Sequence, residues 1–435
     1  MKKIIILSTV AVMSLNAASF QSIGYKSISM GGASVSNAKG DMAIYSNPAL
    51  LGDNDDNFNV SIGGGLTIDD NGAAKAINDI NELNFVQVFD QVTENANLSN
   101  LNSLDLIKKS RDIMIENDNA SFSINPHAHF FLQTSNLGLG VVSTTDLKGK
   151  LNIDTSKTKL IVWSDANNNG LEDNLDLYTN LENATYDANG LISSLGNSTY
   201  TEYTNESLFK DILDEKNNVA VKAVNITEVP LAYGHMFNPG DSQLMVGLAA
   251  KFLMGNTYVQ SLEVGRNNTI DILENDYTTT HTYGVDVGLA YRNGFIPNLT
   301  FGAVAKNINT PTFEVKGDVD YELKPSAKAG ISYTGSWFEL AVDSDLTKNE
   351  TFNGLEQIVG GGVAISPWDG TSFRAGVKSN LANENSDLIY TAGIGLGFKW
   401  ISLDVAGEFG GKDVIIENKT VKEHMGIAIN LVSRF

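Results

Sequence analysis

The stretch Thr391–Phe409, TAGIGLGFKWISLDVAGEF, and the last residues Glu423–Phe435, EHMGIAINLVSRF, alternate bulky apolar residues with small or polar ones. From Tyr390 the even positions are Tyr390, Ala392, Ile394, Leu396, Phe398 and Trp400. The odd ones are Thr391, Gly393, Gly395, Gly397 and Lys399. Strand side chains point alternately to opposite sides, so such a stretch has one apolar face and one small, polar face. The pattern recurs at Phe58–Ile68 and near 121–133, 136–151, 218–237 (one strand, or two divided at Pro230), 242–258, 280–293, 298–307, 325–334, 336–346, 356–366, 371–379, 388–399, 400–410 and 423–435. The expected fold is all-β: a transmembrane antiparallel up-and-down β-barrel of about 14 strands.

Composition agrees. Forty glycines against eight prolines favour close-packed sheet over a Pro-rich disordered chain. After the first fifteen residues no apolar run approaches the ~20 residues of a transmembrane helix, so a membrane crossing must use strands. A mean hydropathy of −0.10 is compatible with this, because such a barrel hides its apolar band in every second residue. Clean faces such as Leu244, Val246, Leu248, Ala250, Phe252 and Met254 carry no charge, while Lys251, Asp286 and Arg292 fall on the opposite faces, assigned to the lumen. With no cysteine, disulfides and thiolate metal sites are excluded. The net charge of −21 argues against nucleic acid as a direct partner.

Met1-Lys2-Lys3, the apolar run Ile4–Met13 and the small residues to Ala18 have the layout of a secretory signal peptide, 1–18, cut after Ala17 or Ala18. A glycine-rich segment, 19–57, precedes the barrel proper, 58–435. Within the barrel, 73–118 changes period: Ile77, Ile80, Leu83 and Val86, then Leu101, Leu104, Ile107 and Met114, recur at three or four and predict a helical insertion. Residues 152–217 form a long polar loop. Tight connections (294–298, 334–337, 367–371, 399–401) alternate with longer polar or acidic ones (259–279, 308–324, 347–355, 380–387, 411–422), as expected of periplasmic turns and extracellular loops.

Few motifs carry chemistry. Asp165, Asn167, Asn169, Leu171, Asp173 and Asp176 occupy positions 1, 3, 5, 7, 9 and 12 of a loop with Gly170 at 6, the spacing of a calcium loop. An Asn/Asp-rich hairpin tip would read similarly. If calcium binds there, it is structural; no cofactor is required. His127 and His129 share one side of a strand without a carboxylate companion at metal-site spacing, and are read as lumen or interface residues. No nucleophile elbow or phosphate-binding loop is present, and an enzyme is not expected.

The residues Ser22–Val35, with Gly31-Gly32-Ala33, followed by Gly40-Asp41, Ala43 and Asn47-Pro48-Ala49, resemble the N-terminal region of FadL-type outer-membrane proteins. The helical insertion and the calcium-like loop make the chain more similar to the TraF-type conjugal-transfer branch. The resemblance implies a plug, with Gly31, Gly32, Asp41, Asn47, Pro48 and Ala49 in it, inside a fourteen-stranded barrel of the Gram-negative cell outer membrane. It also implies a passive channel for hydrophobic small molecules, or a non-transporting component of a conjugation or secretion apparatus. Phe435 resembles the terminal aromatic read by the barrel-insertion machinery. The expected partners are membrane lipid and a hydrophobic small-molecule ligand, and the expected state is a monomer.

Overall fold

The computed structural model describes residues 22–53, 58–82, 113, 115–153, 161–163, 176–179, 185–186, 192–194, 201–203, 218–263, 277–351, 354–383, 386–398, 400–416 and 419–434. Fourteen antiparallel strands form one closed ring. They are β1 (Phe58–Asn71), β2 (Ser121–Thr134), β3 (Leu137–Asn152), β4 (Asn218–Phe237), β5 (Gln243–Glu263), β6 (Thr278–Arg292) and β7 (Leu299–Lys306). The ring continues with β8 (Ser326–Thr334), β9 (Phe338–Asp345), β10 (Ile358–Trp368), β11 (Thr371–Asn380), β12 (Ile389–Phe398), β13 (Ile401–Ile416) and β14 (Lys419–Arg434). Each pairs with its neighbours in sequence, and β14 closes on β1 with Asn59 opposite Arg434 and Asp69 opposite His424. Closure satisfies every ladder without leaving an edge strand.

The two faces divide as the alternation requires. Ile62, Leu231, Leu248, Val342 and Ile427 are each more than half exposed on the outer face. Lys251, Asp286, Asp343, Asp404 and Asn430 are buried on the inner one. A continuous apolar outer face of this kind is solvated by hydrocarbon, not water. At the tight-turn end Phe295, Trp337, Trp368 and Trp400 project outward as an exposed aromatic rim, the place of an interfacial girdle. No helix among the described residues is long and apolar enough to cross a membrane.

Several expectations are corrected. Of the two alternatives for 218–237, the single strand Asn218–Phe237 is the one formed. Pro230 is accommodated because the β3–β4 register skips from Leu139↔Leu231 to Val142↔Glu228, so no ladder bond is asked of its missing N–H. The expected loop 411–422 is largely strand: β13 and β14 extend into a hairpin past a register shift between Gly410 and Asp413. In the expected loop 152–217, Ile161–Trp163, Asp176–Thr179 and Thr201–Tyr203 form a small sheet.

The connection 308–324 is also not simply a solvated loop. Its hairpin, Thr312–Phe313 against Tyr321–Glu322, turns inward at the long-connection end. There Phe313, Val315, Tyr321 and Leu323 pack against Val224, Ile226 and Leu253 of the inner wall. Lys222 Nζ meets Asp318 Oδ2 at 2.6 Å and Thr257 Oγ1 donates to the Glu314 carbonyl at 2.7 Å. The expected helical insertion begins as the helix Ala73–Glu82, whose Ala74 N–H donates to Asp70 Oδ1 at 2.9 Å. The second expected helix lies mostly outside the described residues.

Replacing Leu248 by arginine puts a charge into the outer apolar band and should lower barrel stability by ~2–4 kcal/mol. Reversible denaturant unfolding in lipid vesicles, followed by tryptophan fluorescence, measures this.

Candidate functional site

Residues 22–53 form two short helices, α1 (Tyr25–Ser29) and α2 (Ala43–Ser46), and the 3₁₀ turns Gly40–Met42 and Pro48–Asp53. Met30, Val35, Ala43, Asn47 and Leu51 are fully buried. The segment touches strands on opposite sides of the ring, from β2 and β4 to β9 and β12. A segment that does so in a closed ring lies within its lumen.

Asn47-Pro48-Ala49 has a local explanation. Proline disfavours the helical region for the residue before it, so Asn47 is extended (φ −160°, ψ 105°) and ends α2. Pro48 then opens the next helical turn, where its missing N–H costs nothing. Asn47 Oδ1 accepts the Ala49 N–H at 3.1 Å, while Nδ2 donates to the carbonyls of Val35 at 2.7 Å and Leu289 at 3.2 Å. One amide thus ties two parts of the segment to β6.

Gly31 (φ +67°) and Gly32 (φ +88°) take left-handed conformations, and Gly31 lies so close to β10 and β11 that a Cβ would collide with the carbonyl oxygens of Gly361 and Val377. The Gly31 N–H donates to Thr391 Oγ1 at 3.1 Å. Asp343 Oδ2 accepts the N–H groups of Ser34 at 2.6 Å and Val35 at 2.9 Å. Ion pairs fix the flanks. Lys26 Nζ lies 2.8 Å from Glu339 Oε1, and Arg292 grips both oxygens of Asp53. Burial lowers the pKa of Lys26, against the attraction of Glu339. It raises that of Tyr25 to about 12, and that of Asp41 despite the opposing effects of Ser61 and Arg434.

A cavity of about 550 Å³ lies at the long-connection end and one of about 240 Å³ at the tight-turn end. The larger is polar. Lys378 Nζ meets Glu408 Oε2 at 2.6 Å there, and His424 bridges Asp69 at 2.5 Å and Glu408 at 3.1 Å. Between the two ends part of the inner wall is apolar: Phe131, Val142, Ala232, Met245, Ala249 and Ala290 pack against Met42, Ile44, Leu50 and Leu51 of the segment, while further along the same strands Lys251 lies 3.1 Å from Glu228 and 3.0 Å from Asp286.

All six predicted plug residues, Gly31, Gly32, Asp41, Asn47, Pro48 and Ala49, are therefore buried in the lumen. His127 and His129 both face inward, His129 Nε2 lying 2.8 Å from Asn430 Oδ1, and among the described residues no group of three His, Asp or Glu side chains is arranged to hold a metal ion. Asp165, Asn167, Asn169, Leu171, Asp173 and Phe435, like the expected signal peptide, lie outside the described residues. Asp176 opens a short strand opposite Trp163. Asp343, Glu339 and the Asp53–Arg292 pair escaped the sequence reading. Their parity put the strand residues on the lumen side, but nothing local marked what they would grip.

Fold and lumen together define a membrane-spanning β-barrel of the outer-membrane type with an internal N-terminal segment. The chain belongs to the family described as "F plasmid transfer operon, TraF, protein", which matches residues 44–345, well over half of its length. This bears out the resemblance to the TraF-type branch. Similar solved structures include the Ralstonia pickettii toluene transporter TbuX (12% identity, TM-score 0.49, covering 96% of this chain and 99% of that one). Another is the P. putida toluene transporter TodX (13%, 0.46, 96% and 99%). A Pseudomonas aeruginosa FadL homologue is a third (8%, 0.46, 99% and 99%). The fold stands on the strand pairing itself, independently of these likenesses. No curated protein matches the chain.

Asp343→Ala strands two buried N–H donors, a loss of ~1–3 kcal/mol for each. The segment 22–53 should then be cut faster by protease in the folded barrel. A second expectation concerns Asp41. Because its pKa in the docked segment is raised, the docked state holds more protons, so docking is strongest below the ordinary carboxylate pKa, weakens as pH rises through the raised value, and is constant above it. Asp41→Asn should therefore protect the segment relative to wild type at pH ~7 and match it in acid, read as the ratio of the two cleavage rates at each pH.

Proposed function

We propose that the protein is a passive outer-membrane channel for small hydrophobic molecules, closed at rest by residues 22–53 acting as a plug. One observation carries this: the inner wall has an apolar strip, Phe131, Val142, Ala232, Met245, Ala249 and Ala290 of five successive strands, where the segment covers it, bordered further along the same strands by the paired charges of Glu228, Lys251 and Asp286. A wall serving only hydrated solutes has no need of such a strip. Movement of the plug would expose a path between the two cavities bordered by that apolar strip. The entrance is polar, but its charges are largely paired with one another, so a neutral molecule meets little net field there. No side-chain constellation is assigned a catalytic role. A cleaved signal peptide at 1–18 would deliver the chain across the inner membrane.

Family membership favours one other reading, a non-transporting component of a conjugation or secretion apparatus. The connections 73–118 and 152–217 would then be docking surfaces. Both lie within the matched residues.

Liposomes containing the full chain, or the Lys26→Ala/Asp343→Ala variant with its loosened plug, separate the two. A channel admits a neutral aromatic hydrocarbon faster than protein-free liposomes, and the variant admits it faster still. If the hydrocarbon enters no faster with either protein than without, the channel reading fails. Co-purification of a partner that is lost when 73–118 is shortened would establish the other.

A further inference from the structure

The β7–β8 connection, 308–324, has two unlike faces. Phe313, Val315, Tyr321 and Leu323 are buried, while Thr312, Glu314, Lys316 and Lys324 are exposed. Its hairpin thus has an apolar underside and a charged upper face. The underside rests on β4 and β5, where Gly255 leaves the space that the Phe313 ring occupies; a Cβ there would strike the ring. Burial raises the Tyr321 pKa, and the carboxylates of Asp146 on β3 and Glu356 on the β9–β10 connection raise it further. The hairpin therefore extends from the β4–β5 wall toward the far side of the mouth.

Little of this docking is intrinsic to the hairpin. Its own ladder is two residue pairs, Thr312↔Glu322 and Phe313↔Tyr321, too short to stand alone. Its base is strained, since the β-branched Thr310 has φ +51°. Docking rests on the apolar seat and on three polar ties. These are Lys222 with Asp318, Thr257 with the Glu314 carbonyl, and the Glu314 N–H donated to Thr280 Oγ1 at 2.9 Å. The hairpin's ladder is separate from the ring, so undocking breaks no barrel pairing.

The base of the hairpin is also where the N-terminal segment meets this wall. Asn307 donates its N–H to Asp286 Oδ1 at 2.9 Å, and its Oδ1 accepts from Lys251 Nζ at 2.7 Å. The preceding residue, Lys306, holds its Nζ 3.1 Å from the centre of the Tyr45 ring in the segment. One dipeptide thus carries the hairpin on one side and a contact to the segment on the other. We propose that the hairpin 308–324 is a strap over the mouth whose docking reinforces the docked N-terminal segment through Lys306-Asn307. Undocking swings Asn307 off Asp286 and Lys251, which takes Lys306 away from Tyr45. The coupling is reciprocal, so a displaced segment loosens the strap in turn. The proposal does not depend on what permeates the barrel, or on whether anything does.

The chain has no cysteine, so Val315→Cys, at a residue 4% exposed, places a single thiol under the strap. The full chain in detergent, with heat-modifiable migration as the check on folding, is treated with a water-soluble maleimide. Protease cleavage of the segment 22–53 is followed in parallel. Labelling should proceed in the folded barrel. Gly255→Ala, which crowds Phe313, and Asp318→Asn, which breaks the tie to Lys222, should each speed it about fivefold, the scale of one ion pair with partial solvent access. Both should also speed cleavage of the segment. Asn307→Gly keeps the left-handed backbone but gives Lys251 nothing to hold, and should abolish that second effect. Freer access for the protease would persist in Asn307→Gly and is thereby told apart from coupling. If Asn307→Gly does not fold, Lys26→Ala decides: it loosens the segment at Glu339, at the tight-turn end, and should speed labelling at position 315. Labelling no faster than loss of the folded form, or speeded by neither variant, overturns the proposal. So does cleavage that neither variant speeds, cleavage still speeded in Asn307→Gly, or labelling unmoved by Lys26→Ala.

Discussion

A strand in hydrocarbon cannot leave an N–H or C=O group unpaired, and the rest of this structure depends on how β1 and β14 meet that demand. Their register runs from Asn59↔Arg434 to Asp69↔His424 without a break. The same seam carries paired polar side chains inside, where His424 reaches Asp69 across it. Outside, Ile62, Ile427 and Ile429 continue the apolar band over the join. The ring is thus held by backbone pairing that water cannot compete for, and the residues on either face are released to do other work.

Inside, closure creates a different problem. A lumen this wide must be filled, and residues 22–53 fill it by bringing backbone against backbone. Glycine on the wall makes that possible. At Gly247 and Gly288 a side chain would occupy the space taken by Pro48, Ala49 and the Asn47 amide. Close approach brings peptide groups to the wall, and those groups need partners. Asp343 supplies one acceptor for two of them, and Thr391 supplies another. Small residues and inward carboxylates are therefore two halves of one solution: space for the chain, then acceptors for its amides.

The ring was legible in the sequence because period-two alternation is enforced at every membrane-spanning residue by the same solvent contrast. Strands such as β11 and β12 could be placed almost to the residue. Strand ends above the band were not, since outward side chains such as Asn225 and Asn256 no longer face a uniform medium and the alternation fades. The inward hairpin at 312–322 was missed for a related reason. Its four buried apolar residues, Phe313, Val315, Tyr321 and Leu323, are spaced among charges, and only contact with Val224 and Leu253 shows which side they take. The segment's motif was recognisable from Gly31-Gly32 and Asn47-Pro48-Ala49. Its partners, from Glu339 to Arg374, lie some three hundred residues away and have no local signature.

These contacts also bear on how such a lumen could open. The hydrogen bonds and ion pairs of the segment net ~1 kcal/mol apiece when water replaces the partner, because solvent restores most of what is lost. The apolar layer around Ile44, Leu50 and Leu51 is different, since exposing each such side chain costs about 1.5–3 kcal/mol. Displacing the first half, Tyr25 to Ala38, carries an apolar cost of its own, because Ile28, Met30 and Val35 are buried against the wall. The half that contains Asn47-Pro48-Ala49 continues in sequence directly into β1, which the ring holds fixed. A partial shift of the first half, pivoting on the second, would keep that attachment to the ring. It would join the cavity at the tight-turn end to the space above it while Asn47 kept its hold on β6.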